Sequence, residues 1–115
     1  MSRLAAPLLA VAFGAMVLAC GGPAGRAIKF VADDQACTPA AVTAAPGERL
    51  VLEVSNQSKR DREVEGIEGT KLEEVVIPAG RVRKLSFTMP DSGKARLKCY
   101  IPGGPATIIE ITPAK

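Results

Sequence analysis

The chain has 115 residues, a formal net charge of +3, 3% aromatic residues and no histidine. This length predicts a single domain. The lack of histidine excludes Ser-His-Asp and Cys-His catalytic arrangements, together with histidine-containing zinc sites. Basic and acidic residues are interspersed and there is only one tyrosine. We therefore expect no nucleic-acid partner, because that would need a basic stripe with stacking aromatic residues.

The first segment of the chain predicts export and lipidation. Arg3 precedes an uncharged apolar run over residues 4–19, which ends at Cys20. These are properties of a signal peptide, and residues 17–20 (VLAC) resemble a bacterial lipobox. That resemblance implies a lipoprotein signal peptide over 1–19, cut before Cys20, whose sulfur then carries a lipid. The alternatives are an ordinary secretory signal with an incidental cysteine, or an uncleaved anchor.

The glycine-rich stretch that follows predicts a flexible tether over residues 20–26. Residues 27–115 are then the folded domain, which is long enough for a small core. This domain contains Cys37 and Cys99. In an oxidising compartment two such cysteines form a disulfide by default. The alternatives are a pair of thiolates that binds a soft or borderline metal such as Cu(I), and a reversible thiol redox pair.

The domain shows short strand patterns separated by turn signals, with no convincing helix. Strands are predicted over 27–31, 40–44, 49–55, 62–67, 72–77, 82–89, 94–100 and 106–111. Every second residue is apolar in 49–55 (RLVLEVS) and in 85–89 (LSFTM), which is the period of a half-buried strand. The pattern predicts an all-β sandwich of about seven to eight strands, with the apolar faces forming two inner layers.

The order of these features resembles that of the cupredoxin-like fold, a Greek-key β-sandwich, over residues 27–112. The residues that match the cupredoxin pattern in register are Pro39, Val42, Gly47, Leu50, Leu52, Val54 and Asn56. Blue-copper members bind copper through two histidines, a cysteine and a weak axial methionine. Here Cys99 matches the family cysteine and Glu63 stands near the first histidine position. The second histidine position falls near Gly103 or Gly104, and no methionine follows Cys99. The resemblance therefore implies no type 1 copper centre.

Among cupredoxin-like proteins, the chain is most similar to the EfeO-type domain of a periplasmic iron-uptake system. The shared features are CTP at 37–39, the acidic strand EVE at 63–65 and the late cysteine Cys99. The resemblance implies metal handling, with copper or iron as the metal. The candidate metal ligands are Cys37, Glu63, Glu65 and Cys99.

Glu63 and Glu65 are two residues apart, so their side chains leave the same face of a strand. Carboxylates suit a hard cation such as Fe(III), whereas cysteine sulfur suits Cu(I). The alternative is a solvated outer face, on which these carboxylates pair with Arg60, Arg62 or Lys71.

The sequence thus predicts a module that is lipid-anchored at the periplasmic or extracellular face of a bacterial cell envelope. Its predicted role is to bind or hand over iron or copper, with an envelope metal-uptake or redox protein as the partner. The alternative is a disulfide-stapled structural or interaction domain with no metal. We expect no enzymatic activity, because a small sandwich with short loops offers little room for a substrate pocket.

Overall fold

The computed structural model describes residues 25–114, so the predicted signal peptide and the lipidated Cys20 lie outside the described residues. The domain is all-β. Its strands are β1 (Arg26–Ala32), β2 (Cys37–Thr38), β3 (Ala41–Ala44), β4 (Arg49–Asn56), β5 (Arg62–Glu68), β6 (Val75–Ile77), β7 (Val82–Thr88), β8 (Ala95–Tyr100) and β9 (Ala106–Pro113). Within residues 25–114, no helix is long and apolar enough to cross a membrane.

The strands form two sheets, as the sequence predicted. One sheet has the order β2-β1-β4-β7 and the other has the order β3-β9-β8-β5-β6. The pairs β1–β4 and β3–β9 are parallel, whereas all other neighbours are antiparallel. The predicted Greek-key β-sandwich is confirmed.

Two elements differ from the prediction. The two-residue strand β2 was not predicted, because it is too short to show an alternating pattern and exists through its pairing with β1. The strand predicted over 72–77 is β6, which begins only at Val75. Before it the chain turns back on itself: Gly66 N–H donates to Leu72 O at 2.9 Å, and Leu72 N–H donates to Thr70 Oγ1 at 3.1 Å.

The core lies between the two sheets and follows the period of two. Leu50, Leu52 and Val54 of β4 point inward, while the residues between them are half-buried on the outer face. Each fully buried side chain of this size contributes about 1.5–3 kcal/mol relative to exposure to water. The other buried apolar residues include Phe30, Ala32, Val64, Ile77, Leu85, Phe87, Met89, Leu97, Ile109 and Ile111.

A disulfide between Cys37 and Cys99 joins the two sheets across this core. Cys37 lies on β2 in the first sheet and Cys99 on β8 in the second, with their Cα atoms 6.4 Å apart. Both residues are almost completely buried, at 2% and 0% exposure. The default pairing predicted from the sequence is confirmed.

The turn between β4 and β5 is held by the side chain of Asn56, which is buried with all of its bonding capacity in use. Its Oδ1 accepts hydrogen bonds from Ser58 N–H at 3.0 Å and from Ser58 Oγ at 2.6 Å. Its Nδ2 donates to Arg60 O at 2.9 Å and to Ile77 O at 2.8 Å. The turn is therefore attached both to itself and to β6.

We expect the double substitution Cys37→Ala/Cys99→Ala to lower the free energy of unfolding by about 4 kcal/mol. The bond closes a loop between residues 62 positions apart, and its loss releases the entropy of that loop in the unfolded chain. Urea unfolding of the variant and the wild type measures the difference. Wild-type protein unfolded in the presence of reductant is the control and should match the variant. A loss below about 1 kcal/mol would contradict this account.

Candidate functional site

The register between β5 and β8 decides which candidate ligands share a face. Val64 lies opposite Cys99, and Glu63 lies opposite Tyr100. Val64 and Cys99 are buried between the sheets, whereas Glu63 and Tyr100 are half-buried on the outer surface. Since successive side chains alternate between faces, every cross-strand pair belongs to one side of the sheet.

The structure brings the two cysteines together and separates them from the two glutamates. Cys37 and Cys99 are bonded to each other inside the core. Glu63 and Glu65 leave the opposite face of β5. Among residues 25–114, no three cysteine, aspartate or glutamate side chains are placed to share one metal ion. The four candidate ligands therefore do not form a single site.

The inward residue at the start of β5 is Arg62, not Glu63. Arg62 precedes Val64 by two positions, so its side chain enters the core on the face that carries Cys99. Its exposure is 0%. The sequence interpretation placed Glu63 near the first histidine position of the blue-copper pattern and Arg62 on the surface. The alternation could have corrected this, because an inward Val64 requires an inward Arg62.

The guanidinium of Arg62 has only part of its bonding capacity satisfied. Its Nη2 donates to Asp33 O at 2.5 Å. Its Nε and Nη1 are buried and have no hydrogen-bond partner among the described residues. Burial lowers the pKa of Arg62, and the charges of Asp33 and Asp34 oppose that shift. The side chain nevertheless stays charged, since arginine does not lose its proton in proteins.

The loop after Cys99 is a tight turn closed by its own backbone. Ile101 N–H donates to Pro105 O at 2.9 Å, and Gly104 N–H donates to Ile101 O at 2.7 Å. From the neighbouring β4–β5 turn, Arg60 Nη2 donates to Pro102 O at 3.3 Å. This loop is therefore held by backbone hydrogen bonds and by the side chain of Arg60, at the place where blue-copper proteins have metal ligands.

A second cluster lies on the outer face of β5 and β8, around the hydroxyl of Tyr100. The Tyr100 oxygen is 3.0 Å from Glu63 Oε1 and 2.5 Å from Glu74 Oε2. Lys98 Nζ lies 4.4 Å from the centre of the tyrosine ring. The sequence analysis placed Glu63 near the other candidate metal ligands or near basic side chains, but not near Glu74 or Tyr100. Neither Glu74 nor Tyr100 carried a local signal, because only the strand register brings them to Glu63.

The contacts within the Tyr100 cluster raise the pKa of Glu63 and Tyr100 and lower the pKa of Glu74. The hydroxyl has one hydrogen to donate, so a second hydrogen bond needs a proton on one carboxyl group. The contact with Glu74 raises the pKa of Glu63, whereas hydrogen bonds from Tyr100 and Glu63 lower the pKa of Glu74. Hydrogen bonding to Glu74 and, next, burial raise the pKa of Tyr100 well above its usual range.

We expect Arg62→Met to leave the free energy of unfolding unchanged or to raise it by about 1–4 kcal/mol. An apolar side chain of similar length removes a buried charge with unpaired donors, and such exchanges are often neutral or stabilising. Arg60→Met on the exposed turn is the matched control, with an expected change within about 0.5 kcal/mol. Urea unfolding measures both. A loss of more than about 2 kcal/mol for Arg62→Met would show that the guanidinium organises the core.

We expect the single tyrosine to ionise well above its ordinary pKa of 10.0 in the folded protein. The stabilisation from its neutral hydroxyl is therefore complete below pH 10 and declines as the pH rises further. Tyrosinate absorbance against pH measures the midpoint, with urea-unfolded protein as the reference. Glu74→Gln should move the midpoint back toward the reference, whereas Glu73→Gln, with the same charge change, should not. Equal midpoints for folded and unfolded wild type would contradict the geometry.

Comparisons with known proteins show the fold alone. No protein-family profile and no curated protein matches the sequence. Among solved structures, auracyanin B is 13% identical with a TM-score of 0.59, over 80% of this chain and 92% of that chain. Reduced auracyanin from the photosynthetic bacterium Roseiflexus castenholzii is 16% identical with a TM-score of 0.57, over 81% and 100%. Copper nitrite reductase from Nitrosomonas europaea is 13% identical with a TM-score of 0.61, over 82% and 50%. The chain is similar to these proteins in architecture, and the fold of its domain is cupredoxin-like.

Proposed function

We propose that this chain is a cell-envelope interaction module built on a cupredoxin-like domain that does not use a metal. The observation that carries the proposal is the buried guanidinium of Arg62. It lies on the same face of β5 as Val64, the residue opposite Cys99 on β8. In blue-copper proteins that part of the fold holds the metal ion. Here it holds the charged guanidinium of Arg62.

Two physical arguments support a role without metal. Metal ligation by cysteine needs the thiolate, and the sulfurs of Cys37 and Cys99 are bonded to each other. A metal cation at this end of the core would also face the charge of Arg62 at short range. Like charges repel strongly in a medium of low dielectric constant. The residues present therefore suit a closed, stapled core better than a copper or iron centre.

The cell envelope is the location that fits these features. A buried structural disulfide is typical of proteins exported to an oxidising compartment. The lipobox-like residues before Cys20 support cleavage at that residue and a lipid on its sulfur. Acyl chains contribute about 0.8 kcal/mol for each buried CH₂ group, so several chains give a durable anchor. The membrane is then the first partner of the module, and enzymatic activity is not part of the proposal.

A second candidate function keeps the metal handling implied by the EfeO-type resemblance. The observation in its favour is that Cys37 and Cys99 are adjacent, so reduction of their bond would leave two neighbouring thiols. Two cysteine sulfurs suit Cu(I). In this version Glu63 and Glu65 lie on the far side of the sheet and take no part in that site.

The full-length chain, expressed in a bacterium and extracted from its membranes, tests both candidates. Intact mass without reductant should show loss of residues 1–19, addition of a lipid at Cys20, and two hydrogens fewer for the Cys37–Cys99 bond. Metal analysis of the same sample should find far less than one equivalent of copper or iron. Titration with Cu(II) and Fe(III) should give no saturable binding.

Stoichiometric metal in the oxidised protein would overturn the proposal. If saturable Cu(I) binding appears only after reduction and is lost in Cys37→Ala/Cys99→Ala, the second candidate is correct instead. Recovery of the protein without lipid, in the soluble fraction, would remove the envelope anchor but leave the metal-free core in place.

A further inference from the structure

A groove of about 770 Å³ opens at the side of the sandwich between an outer strand and a loop. One wall is β7 at Ser86–Thr88, and the other is the segment 69–73 that precedes β6. The half-buried Leu72 and the buried Phe87 contribute apolar surface to it. Its volume falls within the range of ligand-binding cavities. The expectation that the short loops leave little room for a pocket is therefore wrong.

The wall formed by β7 is the unpaired edge of a sheet. Among residues 25–114, β7 is the last strand of its sheet and pairs with β4 alone. Met89 N–H donates to Glu48 O at 2.8 Å, and Asn56 N–H donates to Arg81 O at 2.9 Å. Because hydrogen bonding alternates along an antiparallel pair, the odd-numbered residues face β4. The residues whose N–H and C=O groups point away from β4 are Val82, Lys84, Ser86 and Thr88.

We propose that this edge and the groove beside it bind an extended, acidic segment of a partner protein as an added strand. Main-chain hydrogen bonds to an exposed edge supply affinity, and pockets for alternate side chains supply specificity. A strand added beside β7 would extend the sheet, so its inward side chains would enter the groove near Leu72 and Phe87. The proposal rests on the interaction role proposed above and identifies the β7 edge and the groove as the surface that binds the partner.

The charge along the β7 edge indicates the chemistry of the partner. Arg83 and Lys84 are exposed on β7, and Arg81 is exposed directly before it. In the groove lining itself, the basic residue is Lys71, on the wall opposite β7. Glu73 is the one acidic residue in the lining. A segment that alternates apolar residues with aspartate or glutamate would therefore match both the apolar surface and the charge.

The same charges argue against a second copy of this chain as the occupant. Pairing β7 with its equivalent would bring two sets of basic side chains along one shared edge, and like charges disfavour that contact. The two ion pairs among the described residues, Arg26–Glu48 and Arg96–Glu68, involve neither the cations of the β7 edge nor Lys71. Those cations are thus available to an acidic partner.

A phage-displayed library of random octapeptides, selected against the full-length chain in mild detergent, tests the proposal. Enriched peptides should alternate apolar residues with aspartate or glutamate. Hydrogen exchange of the protein should slow over residues 82–90 when the strongest peptide is added. Arg83→Glu should weaken that peptide at least tenfold and should not change the fold, since the side chain is exposed.

Ser86→Pro is the sharpest variant, because it removes an N–H that points into the groove and none that bonds to β4. Proline is tolerated on edge strands at such positions, and binding should fall at least tenfold. Thr43→Pro is the matched control. It lies on β3, an outer strand of the other sheet, where Ala40 and Ala44 accept the bonds from β9 and Thr43 faces away. Circular dichroism confirms that both variants fold.

Failure to enrich any peptide would overturn the proposal, as would peptides that bind Ser86→Pro as tightly as wild type. Self-association with protection of residues 82–90 in the absence of peptide would assign the edge to a second copy instead. Protection there in the monomeric chain, without peptide, would assign it to the chain's own residues and also overturn the proposal. None of these outcomes depends on the metal content, which decides the proposed function separately.

Discussion

The side chain of Asn56, with all its hydrogen bonds formed, fixes which residues of β5 face the core and which face outward. Most of the chemistry of this domain depends on that alternation. Asn56 closes the β4–β5 turn through Ser58 and Arg60 and attaches it to β6 through Ile77. Because side chains alternate, a shift of one residue in this turn would exchange the two faces of β5. The charged guanidinium would leave the core, and a carboxylate would enter it.

The two faces created in this way differ in how they hold charge. On the inner face Arg62 is completely buried, and its Nε and Nη1 have no hydrogen-bond partner within the described part of the chain. This is an unfavourable environment for a charge. On the outer face the Tyr100 hydroxyl is hydrogen-bonded to the carboxyl groups of Glu63 and Glu74, which are half-buried and exposed respectively. The inner arrangement persists because the disulfide and the apolar core around it stabilise the sandwich enough to carry an unfavourable group.

The sequence was sufficient for the architecture because apolar alternation and turn residues are local signals. It was also sufficient for the Cys37–Cys99 bond, which is the default pairing for the two cysteines of a domain predicted to be exported. The sequence did not predict the contacts that depend on the register between strands. Glu63 meets Glu74 and Tyr100 only because β5, β8 and the loop before β6 converge in space. For Arg62 the alternation of β5 did predict an inward side chain, because Val64 faces inward. The interpretation instead followed the blue-copper pattern, which places Glu63 near a ligand position.

The proposed absence of copper from this cupredoxin-like domain requires another interaction to stabilise the fold as a metal would. In a metalloprotein, metal binding is part of the folding free energy, since the unfolded chain has no formed site. Here the Cys37–Cys99 disulfide joins β2 to β8 and so links the two sheets. A disulfide of this loop length contributes about 4 kcal/mol, which is a large part of the stability of a small domain. Unlike a bound metal ion, this bond does not dissociate and breaks only by reduction or by exchange with another thiol. A core stabilised in this way does not depend on a metal supply, and under the proposed function the outer surfaces and the β7 edge are where a partner would bind.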